Sequence, residues 1–162
     1  RIKDAIDRMY KIHGMQTQSC ESCKSCQNFR ERFMSAIGSI GWIDLTVENA
    51  DQVKDFYAAV TGWKPSGLDM GGYDDYVMAT PESGEGVSGV CHARGSNVGL
   101  PPVWLIYINV ADIEQSLAKC VELGGEAITP IKNYAGQGRY CIIRDPAGAH
   151  CALFQSLKQE TE

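Results

Sequence analysis

Three cysteines near the amino terminus have the spacing of metal ligands. Cys20, Cys23 and Cys26 form two overlapping Cys-x-x-Cys steps, and His13 precedes them. Such thiols bind zinc or copper, or join an iron–sulfur cluster, but a closed site needs a fourth ligand. A metal site at these four residues is therefore one hypothesis, and a cysteine-rich extension that is easily oxidised is the other.

The neighbours Cys91 and His92 have the residue types of a nucleophile and its base. They lie in a predicted strand, where adjacent side chains face opposite sides, so they cannot act on one another. We interpret His92 as structural. The sequence contains no phosphate-loop motif, and the acidic run 69–75 lacks the spacing of a calcium loop.

Composition limits the classes of function. The chain has 162 residues, 44% hydrophobic and 22% charged, which is enough for one sizeable domain. A net charge of −5 argues against a nucleic-acid partner, which requires a basic surplus. We expect neither a membrane span nor a secretory signal, because no apolar run is long enough. Seven cysteines, an odd number, predict a reducing, cytoplasmic setting.

An internal repeat dominates the chain after residue 38. Residues 110–125 repeat the pattern of residues 47–62 without a gap, and an apolar strand precedes each copy. Asn49 and Asp112 are predicted N-caps, each followed three residues later by Gln. Apolar residues then recur at helical spacing until glycines end both helices. The pattern indicates a duplicated unit in which a strand runs into a helix.

The segments after each helix have the composition of strands separated by Gly- and Pro-containing turns. The predicted strands are 63–68, 73–79 and 87–93 in the first copy, and 127–131, 139–144 and 150–155 in the second. We therefore predict an α+β fold in which two βαβββ modules form a partly closed, barrel-like sheet with a cavity. The predicted parts are a helical N-terminal extension (1–37), a domain (38–156, with modules 38–95 and 102–156) and a C-terminal tail (157–162).

This order of elements resembles the vicinal oxygen chelate superfamily, which includes glyoxalases, bleomycin-resistance proteins and extradiol dioxygenases. The resemblance rests on Phe56-Tyr57 with Thr61-Gly62-Trp63, on Val110-Ala111-Asp112, and on the run from Gly138-Arg139 through Asp145-Pro146-Ala147-Gly148 to Leu153. It covers residues 38–156 and is nearest to the glyoxalase-like members.

The resemblance implies where a divalent metal would be held in the domain. Related enzymes take His or Glu ligands from the first and last strand of each module. The corresponding positions here are Trp42, Gly89, Leu105 and Ala152. These side chains cannot coordinate a divalent cation, so we expect no metal cofactor in the core.

Strand alternation places other side chains beside those positions. We expect Trp42, Asp44, Leu105, Tyr107, His150, Ala152 and Phe154 to line the cavity. Asp44, Tyr107 and His150 would orient a polar ligand or act as acid–base groups, and a simple Asp44–His150 pair is the alternative.

Three functions follow as hypotheses. The first is a protein of the bleomycin-resistance type that binds a small, partly aromatic molecule in the cavity without the family metal. The second is a metal-dependent lyase or dioxygenase with non-standard ligands. The third is an interaction module that acts through its thiol-rich tail. We also expect a homodimer, because two-fold dimers are the commonest assembly.

Overall fold

The computed structural model describes residues 36–134 and 137–157. The predicted N-terminal helices and the proposed metal ligands His13, Cys20, Cys23 and Cys26 lie outside the described residues. The described chain divides into two compact units. The first comprises residues 43–104, and the second comprises residues 36–42 and 105–157 without 135–136.

The first unit is a helix on a four-stranded sheet. Its elements are β1 (Ile40–Val47, from residue 43 in this unit), α1 (Ala50–Thr61), β2 (Lys64–Asp69), β3 (Asp74–Ala79) and β4 (Gly86–His92). The strand order is β2-β3-β4-β1. β2, β3 and β4 pair antiparallel, whereas β1 pairs parallel with β4, because α1 carries the chain across the sheet.

The second unit repeats this plan. Its elements are β5 (Trp104–Asn109, of which Trp104 belongs to the first unit), α2 (Ile113–Glu122), β6 (Glu126–Ala127), β7 (Lys132–Tyr134), β8 (Gly138–Arg144) and β9 (His150–Ser156). The strand order is β5-β9-β8-β6, and β7 also pairs with β8. β5 and β9 are parallel, as β1 and β4 are in the first unit.

The predicted α+β fold with two strand–helix modules is confirmed. The predicted strand 127–131 was wrong, because only Ala127 of this segment lies in a strand, at the end of β6, and the next strand, β7, begins at Lys132. The amide groups of Ile128 and Thr129 both donate to the carbonyl oxygen of Ile142, and Pro130 has no amide hydrogen. A regular ladder with β8 therefore cannot continue through this segment.

The two helices begin differently. The Asp112 side chain accepts a hydrogen bond from the Gln115 backbone amide at 2.8 Å, which is the predicted N-cap of α2. The Asn49 side chain makes no such bond and instead donates to the Gln52 side chain at 2.8 Å. At the other end, glycine ends α1 as predicted, and this residue, Gly62, takes the left-handed conformation with φ 79°.

Each helix covers one face of its own sheet. Ala50 of α1 packs on Met78 and Val90, and all three are fully buried. The helical spacing predicts one apolar face for Val53, Phe56, Tyr57 and Val60. Val53 and Tyr57 do pack against this cluster, whereas Phe56 and Val60 are 56% and 65% exposed. Among the described residues, no helix is long and apolar enough to cross a membrane.

Candidate functional site

The sheet of the second unit has two faces with different roles. On one face, Cys141 and Ile143 of β8 and Leu153 of β9 pack under Ile113 of α2. Because side chains alternate along a strand, the residues between these point to the other face. That other face is where the sequence placed most of the predicted ligand-binding residues.

Four aromatic rings lie together on that other face, and we call them the tyrosine face. The centroids of Tyr107 and Tyr140 are 6.1 Å apart, Tyr134 and Tyr140 are 6.2 Å apart, and Tyr134 and Phe154 are 6.3 Å apart. Phe154 is 2% exposed and forms the base, whereas the three tyrosines are half-buried. The group therefore offers aromatic surface together with phenol hydroxyl groups.

The register of the strands brings these rings together. Tyr140 lies directly opposite Phe154 in the β8–β9 pair, and Tyr107 lies beside Ala152 in the β5–β9 pair. Ala152 is fully buried beside Tyr107. The edge strand β7 adds Tyr134, so four strands form this surface.

A lysine borders the tyrosine face. Lys132 lies opposite Tyr140 in the β7–β8 pair, and its Nζ is 5.9 Å from the centroid of the Tyr140 ring. A cation at this distance is attracted by the negative face of the ring. The surface therefore combines aromatic area with one basic group.

The absence of a side chain at Gly138 leaves room for the Phe154 ring. A Cβ atom at Gly138 would lie 2.6 Å from Cζ of Phe154 and closer still to the carbonyl oxygen of Gln155. Real Cβ atoms do not approach other atoms so closely. Gly138 therefore shapes the site by leaving room for the Phe154 ring.

The structure brings together some of the predicted site residues. Tyr107, Ala152 and Phe154 lie on the tyrosine face or directly beside it. Leu105 is 1% exposed and therefore belongs to the core. His150 is half-buried at the start of β9, opposite Arg144 and on the Ala152 side of the strand. Trp42, also half-buried, belongs to the same unit.

Tyr134, Tyr140 and Lys132 were not among the site residues predicted from the sequence. The alternation of Gly138, Tyr140 and Ile142 along β8 was a usable signal. Tyr140 pairs with Phe154 and Ile142 pairs with Ala152, so these side chains lie on the same face of the sheet. No comparable signal existed for β7, since its three residues were expected to belong to a turn.

Asp44 lies in the first unit and has a different setting. It pairs with Gly89 across β1 and β4, and a Cβ atom at Gly89 would lie 3.2 Å from its Cγ and closer to its Oδ1.

Burial raises the pKa of the nearby Cys91 thiol well above its usual value, and the Asp44 and Asp75 carboxylates add to the effect. Cys91 is therefore a thiol at neutral pH, not an activated nucleophile.

His92 forms a polar cluster on the first unit. Its backbone amide donates to Oδ1 of Asp75 at 2.7 Å, and its Nδ1 is 3.4 Å from the same oxygen. Its Nε2 is 3.6 Å from Oδ2 of Asp51, and the other carboxylate oxygen of Asp51, Oδ1, accepts a hydrogen bond from the Tyr76 hydroxyl. That bond is the main reason why the pKa of Tyr76 is raised to about 12.

The central residues of this cluster are buried. His92 is 3% exposed and Asp75 is 4% exposed, and burial raises the pKa of the Asp75 carboxyl. The His92 ring also packs edge-on against Tyr73, with centroids 5.3 Å apart. The arrangement fixes the end of β4 against β3, as expected for a structural histidine.

The residues at the expected metal positions do not fit a metal ion. Trp42, Gly89, Leu105 and Ala152 offer no side-chain ligand atom for a divalent cation. Within residues 36–134 and 137–157, no group of three or more His, Cys, Asp or Glu side chains is arranged to hold a metal. We therefore derive no chemistry through a metal at this place.

A protein-family model matches most of the chain. The model of the Glyoxalase/Bleomycin resistance protein/Dioxygenase superfamily matches residues 39–152. This range includes the helices and strands of both units except the last residues of β9.

Curated proteins also match this chain. The chain is 33% identical over 129 residues to CFP32 of Mycobacterium tuberculosis (strain CDC 1551 / Oshkosh), whose name describes it as a candidate glyoxylase; the match covers 74% of this chain and 46% of CFP32. It is 31% identical over 120 residues to the anthracycline biosynthesis protein DnrV of Streptomyces peucetius, covering 69% of this chain and 39% of DnrV. The chain thus spans less than half the length of these curated relatives.

Among solved structures, one match is a member of the same superfamily from Vibrio splendidus 12B01. Its TM-score is 0.49 at 14% identity, and the alignment covers 71% of this chain and 97% of that one. Another is the methylmalonyl-CoA epimerase of Mycobacterium tuberculosis, with a TM-score of 0.44, 16% identity, and coverage of 79% and 96%.

Proposed function

Since the chain belongs to the glyoxalase/bleomycin resistance protein/dioxygenase superfamily, we propose that it binds a small planar aromatic molecule on the tyrosine face, without the metal of its enzymatic relatives. The observation that carries this proposal is the grouping of Tyr107, Tyr134, Tyr140 and Phe154 on the sheet face opposite α2.

The chemistry of the tyrosine face suits such a ligand. Small-molecule sites are mostly apolar and aromatic, with a few polar groups that set orientation. Stacked or edge-to-face rings contribute about 0.5–1.5 kcal/mol each beyond the area that they bury. The three half-buried tyrosines keep part of their rings accessible, and each carries a hydroxyl group that can donate or accept a hydrogen bond.

One relative supports the planar aromatic class. DnrV is named for anthracycline biosynthesis, and anthracyclines are planar polycyclic aromatic compounds. His150, on the same side of β9 as Ala152 and Phe154, would supply a polar contact at the margin of the ligand. Trp42 would report binding through its fluorescence, and a role for Asp44 toward the same ligand stays a prediction.

A titration with a neutral planar probe tests the proposal. We expect 2-naphthamide to bind the parent protein, as detected by chemical-shift changes in proton–nitrogen NMR spectra. Tyr107→Leu should weaken binding by roughly five- to tenfold, because about 1–1.5 kcal/mol of ring contact is lost. Tyr73→Leu is the matched control, since Tyr73 is a half-buried tyrosine of the first unit.

The control variant Tyr73→Leu also defines the result that would contradict the proposal. If Tyr73→Leu weakens binding as much as Tyr107→Leu, or if neither variant changes it, the tyrosine face is not the binding surface. Circular dichroism of both variants would establish that each remains folded. His150→Ala extends the test, because loss of a polar contact at the margin should weaken binding without changing the unfolding temperature.

The runner-up is a metal-dependent lyase or dioxygenase that uses non-standard ligands. The name of CFP32 favours it, because a glyoxylase activity belongs to the enzymatic side of this family. Metal analysis of the purified protein distinguishes the two functions. A stoichiometric divalent ion that remains after Cys20, Cys23 and Cys26 are replaced by serine would favour the enzyme.

Two further expectations belong to this proposal. Cys91, Cys120, Cys141 and Cys151 are free thiols, which agrees with a reducing compartment such as the cytoplasm. The thiol-rich tail keeps its own hypothesis of metal or partner binding, which deletion of residues 1–37 would test.

A further inference from the structure

We propose that oxidation by a peroxide joins α2 to the sheet of the second unit through a disulfide bond between Cys120 and Cys151. This modification site lies on the sheet face that α2 covers, opposite the tyrosine face, so it does not depend on the proposed function. Both cysteines are free thiols in the structure, and the bond therefore forms only when an oxidant is supplied.

Three thiols lie in the interface between α2 and the sheet. Cys120 belongs to α2, Cys141 to β8 and Cys151 to β9, and all three belong to or pack against one apolar cluster. Burial raises the pKa of the Cys141 thiol to about 11 and also raises the pKa of the Cys151 thiol, and Cys120 adds to both shifts. Cys120 thus lies close enough to both other sulfur atoms to affect their ionisation.

The start of α2 is fixed at one end of the β8–β9 pair. The backbone amide of Ile113 donates to Oε1 of Gln155 at 3.0 Å. From Ile113 to Cys120 the helix rises roughly 10 Å, and from Gln155 back to Cys151 the strand covers roughly 13 Å. The two cysteines therefore lie at matching distances from this common anchor, one on the helix and one on the strand.

The end of α2 lies at the Cys151 end of the same strand pair. A Cβ atom at Gly125 would lie 2.5 Å from Sγ of Cys120 and 2.9 Å from the carbonyl oxygen of Arg144. Arg144 follows Ile143, which is the β8 residue paired with Cys151. The Cys120 sulfur is therefore close to the part of the sheet that holds Cys151.

Stereochemistry and exposure select this pair among the three thiols. Cys141 pairs with Leu153, so Cys141 and Cys151 are diagonal neighbours with about 7–8 Å between them. A disulfide requires Cα atoms within about 7 Å, which disfavours this diagonal pair. Cys141 is also fully buried, whereas Cys120 and Cys151 are half-buried and can meet a small oxidant.

The oxidation consumes one hydrogen peroxide for each disulfide formed. One thiolate attacks the peroxide, the O–O bond breaks, and the sulfur becomes a sulfenic acid while water leaves. The second thiolate attacks that sulfur, the S–S bond forms, and the sulfenic hydroxyl leaves as a second water. Because burial raises the pKa of the Cys151 thiol, little of it is ionised at neutral pH, and the reaction should be faster in alkaline solution.

Peptide mapping after peroxide treatment tests the proposal. The protein is the full chain with Cys20, Cys23 and Cys26 replaced by serine, so that the tail thiols form no other bonds. It is treated with millimolar hydrogen peroxide in mildly alkaline solution, and the remaining thiols are then blocked with iodoacetamide. Trypsin places the three interface cysteines in separate peptides, 120–132, 140–144 and 145–158. Mass spectrometry therefore identifies which two are joined.

We expect a link between peptides 120–132 and 145–158 within one chain, which dithiothreitol reverses. The bond closes the loop 120–151 and should raise the unfolding temperature by roughly 5–15 °C. Cys120→Ser and Cys151→Ser should each abolish both effects. Cys91→Ser is the matched control, because Cys91 is a half-buried thiol of the first unit, and it should keep them.

The mapping on the chain with all four remaining cysteines decides the outcome even if a serine variant fails to fold. A link from Cys120 to Cys141, a link only between two chains, or cysteines recovered only as free thiols and sulfinic acids would overturn the proposal. A link between Cys120 and Cys151 that formed equally in denaturant would also overturn it, because the folded arrangement would then not direct the pairing.

Discussion

Replacing Gly138 by alanine tests how the tyrosine face is built. Gly138 begins β8, and the side chain of Phe154 passes directly over it from β9. An added Cβ atom would lie 2.6 Å from Cζ and 3.1 Å from Cε2 of the Phe154 ring, and even closer to the carbonyl oxygen of Gln155. The ring can rotate away, but the backbone carbonyl is held in the β8–β9 ladder.

The size of the effect follows from these contacts. Overpacking a close-packed interior costs about 1–3 kcal/mol, and contact with immobile backbone favours the upper end. Alanine regains roughly 0.5–1 kcal/mol, because glycine loses more conformational freedom on folding. The expected loss in the free energy of unfolding is therefore about 2 kcal/mol. For a chain of this size, that lowers the unfolding temperature by roughly 4–8 °C.

Thermal unfolding monitored by circular dichroism measures this change, and Gly67→Ala provides the control. A Cβ atom at Gly67 in β2 would lie 3.1 Å from Oδ2 of Asp74, the end of an exposed side chain that can move aside. We expect the control to change the stability by less than about 0.5 kcal/mol. Equal unfolding temperatures for Gly138→Ala and the parent, with unchanged Phe154 ring signals in NMR spectra, would refute the reasoning.

Three further predictions concern metal, pH and assembly. Trp42, Gly89, Leu105 and Ala152 should hold no metal, so mass spectrometry of a variant without the three tail cysteines should find no stoichiometric divalent ion; an ion bound there would overturn this. The pKa of Asp75 is raised above 3.8 by burial, so its protonated form favours folding and the parent loses this stability as the pH rises. The free energy of unfolding of Asp75→Asn relative to the parent should therefore increase from about pH 4 upward, and urea titrations that gave a constant difference would contradict it. Light scattering at micromolar concentration should show a homodimer, and a monomer mass alone would count against it.

The strand and helix pattern was predictable because the repeat carries its own signals. Helix α2 begins after its N-cap Asp112 and α1 ends before Gly62, and both boundaries depend on residue types that can be recognised in the sequence. The break between β6 and β7 was not predicted, because it depends on the hydrogen bonds that the amides of Ile128 and Thr129 donate to the Ile142 carbonyl oxygen of a distant strand. Register with a distant strand cannot be inferred from a short apolar run.

The site was predictable only in part for a similar reason. Alternation placed Tyr107, Ala152 and Phe154 on one face, because each lies in a strand with a clear period of two. Tyr134 and Lys132 enter the site through an edge strand of three residues, whose pairing with β8 is a tertiary contact. The exposure of Phe56 likewise depends on a tertiary contact, namely which residues of α1 pack against the sheet.

The most direct test of the central claim is to locate a bound planar probe by intermolecular nuclear Overhauser effects. With 2-naphthoate or 2-naphthamide in excess, we predict contacts from the probe protons to the ring protons of Tyr107, Tyr140 and Phe154. The first unit offers an internal comparison, because Tyr57, Trp63 and Trp104 form another aromatic group there, with ring centroids 5.1–6.1 Å apart. Probe contacts confined to that group, with none to Tyr107 or Tyr140, would contradict the account.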